Sequence, residues 1–143
     1  LEKKYMEKID FIVLLRPTSP LRPSNLIEKG MRLFKKYPTA SSIRAVTKSR
    51  EHPYRQWRKK SNFIKSFVQE NDHKFKEFYN LPRQKLPEVF FQTGDIEIIK
   101  RSTILKGTVS GNKILPIFID QNIVHDIDNL NDIRKVEKYL KRK

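Results

Sequence analysis

Five apolar residues, Phe11 to Leu15, run without a polar interruption and stop at Arg16-Pro17. A bulky, partly β-branched run of this kind predicts a strand buried on both faces, in the middle of a parallel sheet. Pro17 cannot donate to a sheet ladder and Pro20 repeats the block, so the chain must leave the sheet in a stiff loop. That loop carries Thr18 and Ser19 between Arg16 and Arg22, and feeds a helix expected from an N-cap at Ser24 to about Tyr37. Loops at the carboxyl ends of parallel strands are where open α/β sheets bind ligands. Hydroxyls and guanidinium groups there suit an anionic one.

With 143 residues the chain is one domain's worth, long enough for a real core. Its formal net charge of +15 calls for anionic partners: nucleic acid, nucleotide phosphates or acidic lipid. The absence of cysteine excludes a disulfide framework and a thiolate metal site. No apolar run approaches the ~20 residues of a membrane span and no signal segment opens the chain, so no membrane partner is expected and a cytoplasmic location is the default. The opening LEKKYMEKID lacks an initial Met and reads as the end of an amphipathic helix, as if the chain were the carboxyl-terminal portion of something longer.

Along the chain, Leu26, Ile27, Met31 and Phe34 give the first helix its apolar side, and Lys29, Arg32, Lys35 and Lys36 read as its solvated side. Ser42 to Lys48 is a strand that returns to the sheet by a right-handed crossover. The stretch SREHPYRQWRKK mixes Arg50, Arg55, Arg58, Lys59 and Lys60 with Tyr54 and Trp57, a composition open to nucleic-acid binding. A two-stranded excursion, Tyr54–Arg58 then Asn62–Val68, packing Trp57 and Phe67, is the favoured reading. Residues 79–87, YNLPRQKLP, form a proline-flanked loop presenting Arg83 and Gln84. Gln92-Thr93-Gly94 reads as a tight turn into a strand from Ile96 to Ile99, with Gly94 permitting close backbone approach to a ligand. Residues 106–112 are a glycine-bearing connection, and Ile114 to Ile119 is a strand that Pro116 places near an edge or a bulge.

One concentrated acidic feature stands in this basic chain, Val124-His125-Asp126-Ile127-Asp128. In an extended segment Asp126 and Asp128 project to one side and His125 to the other. Two carboxylates so close repel unless a cation lies by them, and Mg²⁺ is suited because it takes one or two carboxylates and fills its other positions with water and phosphate oxygens. A capping role at the last helix competes with this: Asn129 with Asp132 resembles a capping box, and Leu130, Ile133, Val136 and Leu140 form the expected buried stripe.

Four segments in order carry a resemblance. Residues 14–22, LLRPTSPLR, are similar to the LQPTSPLR signature of the acylneuraminate cytidylyltransferases, with Arg16 in place of the usual glutamine. HPYRQWR is similar to the family's HNPYKMWR, YNLPRQKLP followed by FQTGDI to YNQPRQxLP followed by WQTGHIDVI, and VHDIDNLNDIRKVEKYL to its VDIDTxxDWxxAExLL close. KGTVSGN also resembles its KGSMSG. The resemblance spans Asp10 to Leu140 and implies a three-layer α/β/α nucleotide-diphosphosugar transferase fold, Rossmann-like and mostly parallel, over residues 1–143 with a β excursion at about 50–87. It implies transfer of CMP from CTP to a nonulosonic, sialic-type acid with release of pyrophosphate, in bacterial cell-surface glycan synthesis. Asp126 and Asp128 would hold Mg²⁺, and Arg83 and Asp128 would be the catalytic residues. Arg16, Thr18, Ser19, Arg22, Arg55, Arg83, Gln84, Gln92, Thr93 and Gly94 would contact substrate. The excursion in that family also contacts a second subunit, which implies a homodimer. An ARGGSK-like loop that opens the family's sequences has no counterpart here, so this chain by itself is expected to bind CTP weakly and to release no pyrophosphate. The rival reading is a non-enzymatic, basic nucleic-acid-binding module built on residues 50–60.

Overall fold

A computed structural model describes residue 4, residues 8–68 and residues 76–141; the amphipathic segment expected at residues 1–10 falls largely outside them. The chain divides into two compact units, one formed by Leu1–Thr47 with Gln92–Lys143 and the other by Lys48–Phe91.

In the first unit the strands β1 (Phe11–Leu14), β2 (Ser42–Lys48), β5 (Phe90–Lys100) and β6 (Ile114–Phe118) form one sheet in the order β1-β5-β2-β6. β1 pairs antiparallel with β5, Phe11 opposite Lys100 and Leu14 opposite Glu97, while β2 pairs parallel with β6. Lys100 N donates to Ser41 O at the start of β2, and Arg44 further on reaches back to Glu97. Residue numbers therefore fall along β5 as they rise along β2, which makes β5 the strand that runs against the other three. The expectation of a central position for Phe11–Leu15 is corrected: β1 is an edge strand, half-buried at Phe11 and Ile12, with Val13, Leu14 and Leu15 exposed. An apolar run reports hydrophobicity but not the strand that will lie beside it.

Helix α1 (Leu26–Lys36) buries Leu26, Gly30 and Phe34, spaced four residues apart on one face. Glu28 in its first turn and Lys35 and Lys36 in its last complement the helix dipole. Its N-cap is Asn25 rather than Ser24, and no side-chain bond closes that end. At Gly30 an added Cβ would lie 2.2 Å from Ile98 Cδ1, so the missing side chain is what lets helix and sheet approach. Ile43, Ala45, Ile96, Ile98 and Ile117 supply the sheet's half of this core, each buried branched side chain contributing about 1.5–3 kcal/mol.

β5 corrects the tight turn expected at Gln92-Thr93-Gly94. The three residues lie within the strand, buried from Thr93 to Ile99. Residues 106–112 do form the expected connection, after the short helix α2 (Arg101–Leu105), with Gly107 and Gly111 at φ +78° and +66°. Pro116 sits in β6, an edge strand as expected. Helix α3 (Leu130–Leu140) has its expected span, but of the predicted stripe Val136 is buried while Leu130, Ile133 and Leu140 are exposed. No described helix is long and apolar enough to cross a membrane.

Among its described residues the second unit has a hairpin, β3 (Trp57–Lys60) with β4 (Phe63–Ser66), and single-turn 3₁₀ segments at Pro53–Arg55, Phe78–Asn80 and Arg83–Lys85. Tyr54 belongs to the first of these turns, not to a strand as expected. Trp57 lies against Tyr79 with centroids 4.8 Å apart, and the Arg58 guanidinium sits 5.2 Å over the half-exposed Phe67.

Candidate functional site

Two prolines stiffen the loop after β1, and hydrogen bonds fix its shape. Ser19 N donates to Arg16 O at 3.2 Å, and Arg22 Nη2 donates to the same carbonyl. The loop is then tied to the acidic segment more than a hundred residues away. Ser19 Oγ donates to Asp126 Oδ1 at 2.6 Å, and Ile127 N donates to Thr18 O at 2.9 Å. Gly94 closes the group from β5: an added Cβ would stand 2.6 Å from Ser19 Oγ, 3.0 Å from Arg16 Cδ and 3.2 Å from Asp126 Oδ1. Gly94 was expected to admit a ligand near the backbone. What it admits is the three side chains of the site itself, while its φ is unexceptional.

A second group gathers around Glu97 of β5. Glu97, 9% exposed, faces Arg16 Nη2 at 3.4 Å, Arg44 Nη2 at 3.4 Å and the Gln92 amide at 3.4 Å. Three donors, two of them cationic, compensate this buried carboxylate. Arg44 also donates to Gln92 Oε1 at 2.5 Å and to Ser110 Oγ at 2.6 Å. Gln92 and Arg16 were expected here. Arg44 and Glu97 were missed, and the signal was present: Arg44 alternates with Ile43 and Ala45, so a charge on the opposite face of β2 needs a partner on a neighbouring strand. Thr93 and Asp95 are 2% and 3% exposed, and Thr93 Oγ1 and Asp95 Oδ2 have no hydrogen-bond partner among the described residues.

Asp126 is half-buried and Asp128 exposed in a segment without regular structure. His125 is turned to the Val124 carbonyl and to the Tyr139 ring. Asn129 caps α3, accepting from Asn131 N at 2.9 Å and Asp132 N at 3.3 Å, and Asp132 Oδ2 accepts from Asp128 N at 3.3 Å. Capping thus uses Asn129, Asp132 and the Asp128 backbone and leaves the Asp128 carboxylate out of the cap. Among the described residues no three acidic, histidine or cysteine side chains gather as a metal-ligand cluster. Two carboxylates, one oriented by a serine hydroxyl, still fit Mg²⁺, which needs few protein ligands when phosphate oxygens and water complete its shell.

In the second unit Arg83 and Gln84 line a cleft of about 260 Å³ together with Lys48, Arg50, His52 and Glu88. Lys48 Nζ pairs with Glu88 at 3.3 Å, whereas the Arg50 and Arg83 side chains have no partner among the described residues. Arg50 was read only as part of a basic stretch. Arg55, expected at substrate, donates to the Leu81 carbonyl at 3.0 Å, which ties it to the loop that leads to Arg83. Tyr54 packs edge-on against both His52 and Phe78. Trp57 lies against Tyr79 yet is 44% exposed, and Phe63 and Phe67 of the same hairpin region are 77% and 50% exposed.

No protein-family model matches the sequence, and no curated protein matches it significantly. Among solved structures the chain is similar to a CMP:2-keto-3-deoxy-manno-octonic acid synthetase complexed with CTP. The TM-score is 0.59 at 8% identity, and the match covers 99% of this chain and 66% of that one. At this identity the likeness establishes the fold. It is a mixed α/β fold around a central sheet, like that of this CTP-bound synthetase.

Proposed function

We propose that the chain is the core of a cytidylyltransferase that transfers CMP from CTP to a nonulosonic acid of the sialic type and releases pyrophosphate, in a cytoplasmic homodimer serving cell-surface glycan synthesis. The observation that carries this reading is the meeting of Arg16, Ser19, Gly94 and Asp126, three separate motifs of the resemblance, at one point. A structural neighbour whose title names CTP and a 2-keto-3-deoxy sugar acid supports it.

In this reading the anomeric hydroxyl of the sugar acid attacks the α-phosphorus of CTP, a new P–O bond forms, and the bond to the bridging oxygen breaks as pyrophosphate leaves. Mg²⁺ at Asp126 and Asp128 would neutralise triphosphate charge. Ser19 orients Asp126, and Glu97 holds Arg16 and Arg44 in a fixed arrangement. Arg83, Arg50 and Gln84 offer two forked cations and an amide to a carboxylate or phosphate, a geometry suited to bidentate recognition. Catalysis is then positioning and electrostatic stabilisation without a covalent enzyme intermediate.

The test is calorimetric titration of CTP with and without Mg²⁺. Metal-dependent CTP binding that Asp126→Asn removes is the expected result. CTP binding indifferent to metal, or tighter binding to single-stranded DNA with a steep salt dependence, would overturn the reading.

A further inference from the structure

A cleft of about 490 Å³ opens where β5 finishes and β2 begins, lined from residues 38–41 and from Lys100 with the turn that follows α2. Gly94, beside Ser19 and Asp126, lies well back along β5 from Lys100. In an extended strand that separation is about 20 Å. The cleft is thus a place apart from the loop after β1, and nothing in the reaction above uses it.

Its floor is fixed by the fold. Lys100 N and Thr103 Oγ1 both donate to Ser41 O, at 3.2 and 2.9 Å, and Ser41 N donates to Lys113 O at 2.7 Å. Thr108 Oγ1 accepts from Ser110 N at 3.3 Å and Gly111 N at 3.2 Å, which closes the turn. Gly111 holds that turn at φ +66°, and an added Cβ would lie 2.4 Å from Ser41 Cβ. A glycine is what lets the turn come down against the start of β2.

The lining is chemically one-sided. Lys100, Ser102, Lys106, Thr108 and Asn112 contribute to it, and no Asp or Glu does. Lys100 is half-buried and anchored, its Nζ donating to Pro38 O and lying 5.2 Å over the Phe34 ring; an ammonium has further donors to offer. Ser102, Lys106 and Asn112 are exposed, with no side-chain hydrogen bond or ion pair among the described residues. Two cations that share one concavity without a carboxylate repel each other, and an anion between them removes that cost.

We propose that this cleft is a second anion site, which binds a small molecule carrying phosphate groups. Its volume falls in the range of small-molecule sites. Lysines present compact point charges that suit phosphate, and hydroxyl and amide donors complete the recognition of its oxygens. A metal ion does not fit a cleft without a carboxylate. The proposal is independent of the cytidylyltransferase reading, since none of its residues belongs to that site.

The experiment follows backbone amides by nitrogen-15 NMR as pyrophosphate is added without metal to the protein and to its Lys106→Ala and Lys29→Ala variants. Lys29 is an exposed lysine of α1 outside the cleft, so it reports attraction to the net charge of +15 alone. Saturable shifts are expected at Lys100, Ser102, Lys106 and Gly111. Lys106→Ala should weaken this binding about tenfold, the loss of one charge-assisted hydrogen bond, with an unchanged unfolding temperature because the side chain is exposed. Lys29→Ala should leave the binding as it was. Equal losses in the two variants overturn the proposal and reduce the effect to general charge. Shifts confined to residues 16–22 and Arg83, or no saturable shift in the cleft, also overturn it.

Discussion

Ser19 and Asp126, 107 positions apart in the chain, are joined by a 2.6 Å hydrogen bond from hydroxyl to carboxylate. The serine is 3% exposed, so its removal leaves the carboxylate without a charge-assisted partner in a partly buried setting. Ser19→Ala is expected to lower stability by about 1.5–3 kcal/mol in urea unfolding and to loosen Mg²⁺-dependent CTP binding in parallel. Full stability with unchanged binding would show that the bond contributes nothing to either.

Gly94→Ala tests the same junction from the strand. The new methyl would meet Ser19 Oγ at 2.6 Å and Arg16 Cδ at 3.0 Å, both closer than normal contacts. Overpacking of this kind costs about 1–3 kcal/mol. Since β5 continues into the core at Ile96 and Ile98, the fold should survive while ligand binding at the loop is lost. The circular dichroism spectrum should therefore be retained alongside weakened CTP binding.

Asp128 is exposed, and its carboxylate takes no part in the helix cap. Asp128→Ala is expected to unfold at the temperature of the original protein and to remove the magnesium dependence of CTP binding. CTP binding with the same magnesium dependence would remove Asp128 from the metal assignment.

Arg83 lines the cleft of the second unit from an exposed 3₁₀ turn. Lysine keeps the charge but not the planar fork, so Arg83→Lys is expected to weaken substrate binding by about 1–3 kcal/mol with no change in stability. Unchanged constants for both CTP and sugar acid would reduce Arg83 to a surface residue.

Asp132 gives a pH signature. The Lys135 ammonium, 2.9 Å away, and the Asp128 backbone N–H hold its carboxyl below the usual aspartate value. A carboxyl whose pKa is depressed by folding contributes stability that is fully present above the unfolded-state pKa and is lost as pH falls through the folded one. Carbon-detected titration should find the Asp132 midpoint below that of an unperturbed aspartate, and Lys135→Ala should move it upward.

What the sequence made legible was local. Strand β2 has its expected bounds because Ile43 and Ala45 alternate with Arg44, and α3 has its span because Asn129 and Asp132 mark its start. What it hid was pairing. Nothing near Phe11–Leu14 announces that β5 will lie antiparallel beside it, so an apolar edge strand looked central. Gln92-Thr93-Gly94 carried turn chemistry, yet Gly94 is in a strand because loop side chains occupy the space its own would fill. The Arg16–Glu97–Arg44 group could not be read from spacing, since its members come from three segments joined by the sheet alone. The resemblance named Ser19 and Asp126 separately; that they touch is a property of the fold.

The neck of the second unit bears on how the sheet closes. Ser49 N donates to Val89 O at 3.0 Å, with Lys48 and Glu88 paired beside it, so the two ends of a long excursion are pinned within one hydrogen bond of each other. β2 and β5 must find each other across that excursion, and the entropy of closing a loop grows with its length. Once Lys48–Phe91 has folded and its neck has shut, the remaining closure is that of a hairpin-sized turn. A neck of this kind makes β2 and β5 near neighbours in the folded chain whatever the length of the segment between them.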